Sequence, residues 1–287
     1  MRTIDLDSLE IFRAVVAEGG VIRAADKLNR VQSNVTTRIQ QLEERLGQKL
    51  FHRQGRSLAL SPAGHKLLPY AERLLRLADE AEGELRSAIP LGTFRLGSLE
   101  STAGSRLAPV LSRFHRLYPG VVVELATGTT GALLNRVKDF ELEAAFVSEP
   151  FSAPELQTMA VFDEELVLIT ARSVAAVTRP GDLADATLIA FAQGCSYRRL
   201  LEQWLGKGGI SAPRSLEFSS YQAMIACVAA GTGFAIVPIS VLKALRATAD
   251  VRQHALPERI RGNRTHLVWQ GEPSVALARL IEMLHKD

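Results

Sequence analysis

The chain has 287 residues, 47% hydrophobic and 23% charged, which at roughly 150 residues per domain means about two domains and excludes wholesale disorder. Two cysteines cannot frame a disulfide-rich fold and none of the six histidines pairs with a cysteine at zinc-finger spacing, so no metal site and no cofactor are expected. The net charge of +3 sits in residues 1–60, with ten Lys or Arg against seven Asp or Glu while the remainder holds 24 of each, so a small basic module on a neutral body points to a polyanion partner.

Residues 1–10 are charged and lack an apolar signal core, which leads to the expectation of a cytoplasmic protein. Residues 7–18 read as a helix that Asp7 or Ser8 can cap, with Leu9, Phe12 and Val16 at helical spacing and Gly19-Gly20 as its stop. A short helix over 21–28 and a tight connection, Asn29-Arg30-Val31, lead into a third helix over about 32–46. Val35, Ile39, Leu42 and Leu46 form its buried stripe and Gly47 ends it. At 100° per residue Ser33, Thr37, Gln40 and Glu44 lie opposite Val35, with Asn34 and Thr36 on the flanks. Short hydrogen-bonding side chains near a helix start suit the reading of base edges, which makes residues 21–46 a helix-turn-helix. Gly55 then allows a turn between two short strands, a wing on which Arg53 and Arg56 can reach phosphates.

From Pro62 the chain reads as helix to about residue 89. Leu67, Ala71, Leu74, Ala78, Ala81, Leu85 and Ala88 repeat at spacings of 4 and 3, the pattern of a coiled-coil seam, so self-association through this helix is expected. Pro90-Leu91-Gly92 breaks it. Strands and helices then alternate to the C-terminus. Strands are read at 93–97, 121–126, 144–147, 165–169, 188–191, 215–218, 234–237 and 266–269, and helices at about 103–118, 130–138, 198–205, 223–231 and 274–284. That is an α/β region with an expected parallel sheet, as one sheet or two small lobes. Residues 223–242 carry no charge and could span a bilayer by length. Gly231, Thr232, Gly233 and Pro238 interrupt them, which favours a buried helix followed by a buried strand, with no membrane partner.

This order of parts resembles the LysR-type transcriptional regulators. The resemblance is dense in residues 8–64: Leu9-Glu10-Ile11-Phe12, Ala24-Ala25-Asp26-Lys27-Leu28, Gln32-Ser33-Asn34-Val35-Thr36, Ile39-Gln40-Gln41-Leu42-Glu43, Leu50-Phe51-His52-Arg53 and Leu60-Ser61-Pro62-Ala63-Gly64. It implies an α/β protein with an N-terminal winged helix-turn-helix DNA-binding domain over 1–61 and a linker helix over 62–90 that makes a homodimer, with a second contact between effector domains making a homotetramer. A two-lobed effector domain over 91–287, resembling periplasmic binding proteins, follows, with lobe I at about 91–161 and 266–287 and lobe II at about 162–265. Implied partners are double-stranded DNA, a small-molecule effector and a second copy of the chain; RNA polymerase is a partner that the reading allows. The DNA-contact candidates are Gln32, Ser33, Asn34, Thr36, Thr37, Arg38, Arg53 and Arg56. Val31 replaces the serine usual before the recognition helix, so Asn29 or Gln32 itself is left to cap it. Thr37 stands where an arginine is frequent, and Arg38, one place later, leans toward the buried side.

Carried over by position, the effector lies between the lobes against turns that follow strand ends. The candidates are Ser98, Glu100, Ser101, Thr102, Thr127, Thr129, Ser148, Glu149, Cys195, Ser196, Tyr197 and Arg198. Each Ser or Thr can equally be a helix cap. Glu100 and Glu149 read either as surface carboxylates or as partners for a ligand ammonium, with Arg198 for a carboxylate. An amine-bearing organic acid is therefore the expected effector. The enzyme class lacks its signatures: there is no G-x-S-x-G elbow, no H-E-x-x-H and no phosphate loop, and no catalytic residue is assigned. A pure solute-binding protein would not need residues 1–89. A redox-responsive regulator using Cys195 and Cys227 is the remaining alternative.

Overall fold

A computed structural model of the chain describes residues 4–54, 57–86, 90–210 and 214–285; side chains at 53, 54, 57, 79, 80 and 83–86 also lie outside the description. Two compact units divide the chain, residues 1–88 and 89–287.

The first unit runs α1 (Leu6–Glu18), α2 (Val21–Lys27), α3 (Gln32–Leu46), β1 (Phe51–Gln54), β2 (Ser57–Leu60) and α4 (Pro62–Arg86). Helix α1 starts one residue earlier than its apolar spacing suggests. Its cap is Asp5, whose Oδ1 accepts from the Ser8 N–H at 2.8 Å, not Asp7 or Ser8. Leu9, Phe12 and Val15 meet Ala24, Val35, Ile39 and Leu42 in one core. The turn into α3 is made by Asn29, at φ +51, and Gly47, at φ +63, ends α3. Strands β1 and β2 pair antiparallel, with Arg53 opposite Leu58. Ser61 ties the hairpin to α4, its N–H donating to Leu50 O at 2.9 Å and its Oγ accepting from the Gly64 N–H at 3.0 Å. Gly64 is needed there, because a Cβ would stand 2.2 Å from Leu50 O.

Helix α4 departs from the expected seam. Ala71 and Leu75 are buried, with Leu67 and Leu68 packed beside them on the unit's own core. The stripe left exposed is Tyr70, Leu74, Leu77 and Ala81, at spacings 4, 3 and 4. The helix start is held against α1, so its first two expected seam positions serve the intramolecular core. The side chains of Leu85 and Ala88 lie outside the described residues.

The second unit opens with β3 (Gly92–Ser98), α5 (Glu100–Thr102), a π turn at Ala103–Leu107, α6 (Ala108–Leu117), β4 (Val121–Thr127), α7 (Thr130–Lys138) and β5 (Ala144–Ser148). It continues with β6 (Gln157–Ala171), β7 (Leu188–Ala190), α8 (Ser196–Lys207), β8 (Ser215–Glu217), α9 (Tyr221–Ala229) and β9 (Ala235–Pro238). It closes with α10 (Ile239–Ala244), β10 (Val251–Ala255), α11 (Glu258–Arg261), β11 (Gly262–Trp269) and α12 (Val275–Leu284). The main sheet has the order β10-β6-β11-β5-β3-β4, with β9 also on β6, and a separate pair β7-β8.

The sheet is mixed rather than parallel. Strand β3 is parallel to β4 and β5, whereas β11, β9 and β10 run antiparallel to their neighbours. The cause is β6, three times as long as expected at 15 residues. Its first part pairs with β11 and its last part with β9 and β10, so one strand belongs to two lobes. Lobe I closes around Phe94, Phe114, Phe146 and Leu280; lobe II closes around Leu168, Trp204, Phe234 and Leu201. The uncharged stretch of 223–242 is α9 followed by β9, and among the described residues no helix is long and apolar enough to cross a membrane.

Candidate functional site

In the first unit, α3 presents Gln32, Ser33, Asn34 and Thr37 to solvent, with Thr36 half-buried and its Oγ1 donating to Gln32 O at 3.0 Å. No side chain caps the start of this helix; Val31 occupies the cap and is 69% exposed. The first-turn amides of α3 therefore carry a partial positive charge, and the first turn of the helix holds no acidic residue of its own. Arg38 turns back instead: its Nη2 stands 3.4 Å from Asp7 Oδ2, a carboxylate that also holds Arg30. Arg53 lies on β1, but its side chain, like all of Arg56, is outside the described residues. The hairpin is fixed to α3 by Glu43, which is buried on α3. Its Oε1 accepts from the N–H groups of Leu50 at 2.8 Å and Phe51 at 3.3 Å.

In the second unit, a cavity of about 290 Å³, counted with its open mouth, lies between the lobes. Leu99, Glu100, Ser101, Gly128, Thr129, Thr130 and Ser148 line it from lobe I, and Phe191, Cys195, Ser196, Tyr197 and Tyr221 from lobe II. The architecture explains this convergence, because the lining groups sit at strands' C-terminal ends and, apart from Ser148 at the end of β5, lead into helices. Thr129 caps α7, its Oγ1 accepting from Ala132 N at 3.4 Å. Cys195 is the cap residue of α8 and Ser220 that of α9, neither with a side-chain capping bond. The lobes touch here: Gly131 N donates to Gly194 O at 3.2 Å. Gly194 sits at φ +91, and a Cβ would press to 3.0 Å from Thr129 Oγ1, so glycine alone lets the turn approach α7.

A hydroxyl network forms the floor. Ser196 Oγ donates to Ser148 O at 2.8 Å, Ser148 Oγ donates to Asn263 Oδ1 at 2.5 Å, and Thr130 Oγ1 accepts from Ser148 N at 3.3 Å. On the wall, Phe191 and Tyr221 pack with ring centroids 4.7 Å apart. Glu100 faces the cavity, and its Oε1 accepts from the Tyr221 N–H at 3.4 Å, so a lobe I carboxylate caps α9 of lobe II. Burial pushes the Glu100 carboxyl above its ordinary pKa, with the Tyr221 N–H drawing it back more weakly. No Lys, Arg or His is among the lining residues described.

The expected site residues divide accordingly. Glu100, Ser101, Thr129, Ser148, Cys195, Ser196 and Tyr197 meet at the cavity. Ser98, Thr102, Thr127, Glu149 and Arg198 do not line it. Ser98 and Thr102 are buried within lobe I, Ser98 donating to Leu99 O at 2.9 Å, and Thr127 ends the edge strand β4. Glu149 turns to His266, Oε1 to Nε2 at 2.6 Å. Arg198 is taken by Glu202 Oε1 at 2.8 Å, Glu217 Oε2 at 2.9 Å and Phe191 O at 3.0 Å, so it is not placed to meet a ligand carboxylate. Leu99 and Gly128 belong to the same expected turns, 98–102 and 127–129, whereas sequence reasoning misses Thr130, Phe191 and Tyr221. Phe191 ends a strand that the pattern does show, and Ser220 before Tyr221 is a helix-start signal masked by the uncharged run that follows. Burial raises the Cys195 thiol's pKa, against the weaker pull of the α8 amides and Arg198, which keeps it a thiol rather than a reactive thiolate.

Residues 6–65 match the family described as "Bacterial regulatory helix-turn-helix protein, lysR family", and residues 88–287 match "LysR substrate binding domain". The HTH-type transcriptional regulator GltR of Bacillus subtilis (strain 168) is 36% identical over 257 residues, 89% of this chain and 87% of that protein. The structure of a full-length OxyR variant from Pseudomonas aeruginosa is similar with a TM-score of 0.74 at 20% identity, covering 100% of this chain and 95% of that one. Full-length CbnR in complex with its target DNA is similar with a TM-score of 0.68 at 23% identity, covering 99% of both chains.

Proposed function

The chain belongs to the LysR family of helix-turn-helix transcriptional regulators, and from that membership we propose a cytoplasmic regulator whose α3 reads DNA and whose inter-lobe cavity binds a small amine-bearing organic acid. Gln32, Ser33 and Thr36 are the base readers. Gln can bond an adenine edge bidentately, and each good bidentate pair discriminates by about 1–3 kcal/mol. Arg38 is assigned a structural role with Asp7 instead, and phosphate contact is left to the wing. The exposed stripe of α4 pairs with the same stripe of a second copy. The effector acts by binding one arrangement of the lobes better than the other.

One observation supports the effector class above the rest: Glu100 is a half-buried carboxylate that, among the described residues, has one long hydrogen bond and no basic cavity neighbour. A ligand ammonium supplies the missing counter-charge, and the N-terminal end of α8 favours a carboxylate at the other side. Titration calorimetry with amines, amino acids and dicarboxylates tests this. Glu100→Gln should weaken amine-bearing ligands by about tenfold, which is 1.4 kcal/mol, and should improve binding of a plain dicarboxylate. Tight dicarboxylate binding that Glu100→Gln leaves unchanged would refute it.

A further inference from the structure

Resting on the reading of the cavity as the effector site, we propose that the Tyr197 hydroxyl is the donor that selects for a carboxylate on the effector. The ring is 3% exposed and lines the cavity in the first turn of α8, yet among the described residues no acceptor meets its hydroxyl at hydrogen-bonding geometry. Ser148 and Ser101 stand close enough to pull weakly on it, and two of the hydroxyls around it donate to other groups. Ser148 Oγ donates to Asn263 Oδ1, and Ser196 Oγ donates to Ser148 O. Burial pushes the phenol up to about 12, against the weaker pull of Ser148 and Ser101, so the group is a neutral O–H donor through the physiological range.

A buried donor without an acceptor is costly in the empty protein, and an acceptor on the ligand removes that cost. A neutral carbonyl could accept as well; the positive end of the twelve-residue α8 and the engagement of Arg198 elsewhere favour an anion held by dipoles rather than by a guanidinium. With Glu100 across the cavity, the ligand is oriented carboxylate toward α8 and amine toward α9. A site built to bond one group rejects analogues lacking it, because its own donor is then left unpaired.

The test uses the full-length protein and calorimetry with the common L-amino acids, each accompanied by its decarboxylated amine, its deaminated acid and its carboxamide. Tyr197→Phe should weaken the acids, aminated or not, by about tenfold or more and the carboxamides less, and should leave the amines unchanged. The melting temperature of the ligand-free variant should not fall, since no bond within the protein is lost. The proposal is overturned if no carboxylate binds the wild-type chain, if amines and acids lose equally, or if ligand-free Tyr197→Phe melts lower. Acids that bind through Tyr197 while amines add nothing and Glu100→Gln is silent would overturn the amine-bearing reading and keep this one. Amines that depend on Glu100 while Tyr197→Phe is silent would do the reverse.

Discussion

Replacing Glu43 by alanine should loosen the joint between the recognition helix and the wing. The carboxylate is 7% exposed, and its Oε1 is the acceptor for two amides, those of Leu50 and Phe51, which are themselves 1% and 9% exposed. Water cannot readily replace it, so each orphaned amide costs about 1–3 kcal/mol. The contact of Oε2 with Lys49 Nζ, 2.7 Å, adds little because the lysine side chain is 77% exposed and screened, ~0–1 kcal/mol. Removing a buried charge offsets part of the loss, which leaves a net cost of about 2–4 kcal/mol. Glu43→Gln keeps an oxygen acceptor at the same place and should cost roughly half as much. Hydrogen exchange of the Leu50 and Phe51 amides in the full-length protein reads the effect locally, with thermal unfolding followed in parallel. Protection should fall steeply in Glu43→Ala and modestly in Glu43→Gln, and DNA affinity should follow the same order. Equal behaviour of the two variants, or unchanged protection at both amides, would refute the account.

Glu substituted at both Leu74 and Leu77, on the exposed stripe of α4, should dissociate the dimer in sedimentation velocity without lowering the melting temperature. Leu75→Ala, at a buried position, should lower the melting temperature by the ~2–5 kcal/mol of a core truncation and keep the dimer. Within the second unit, Arg106→Ala should destabilise more than Glu164→Ala in urea unfolding. Glu164 is the buried partner, held by Arg106 Nε at 2.8 Å and Ser240 Oγ at 2.7 Å, whereas Arg106 reaches solvent when freed. His254 is held neutral in lobe II, its Nδ1 accepting from Val177 N–H at 3.1 Å and its Nε2 facing Thr170 Oγ1 at 2.8 Å. Burial, with Arg252 nearby, lowers its pKa below 6.5. The stability contributed by the neutral ring is therefore full above the unfolded value of 6.5 and is lost as pH falls through the folded pKa. His254→Gln should flatten the acid side of the stability profile below pH 6.5, and an unchanged slope would assign that loss to carboxylates instead.

Most of the recognition module is determined by local sequence. The stripe Val35, Ile39 and Leu42 lies on the buried side because a 3.6-residue period leaves no other face for it, and Gly19 and Gly47 end their helices in the left-handed region where other residues are strained. The turns that meet at the cavity were also legible, since a strand's end followed by a helix start is a short-range signal. What the tertiary structure alone decided is which distant group each long side chain meets. Arg198 and Glu149 have the right chemistry at the right turns, yet Glu202, Glu217 and His266 claim them, and Glu100 faces the cavity because Tyr221, 121 residues on, offers it an amide. Strand direction is of the same kind. The hydrophobic run of β6 announces a strand, but whether neighbours lie parallel or antiparallel, and that one strand serves two lobes, depends on where β9, β10 and β11 return. Periodicity is set by bonds along the chain, whereas pairing partners are set by contacts across it, and those exist only once the chain has closed on itself.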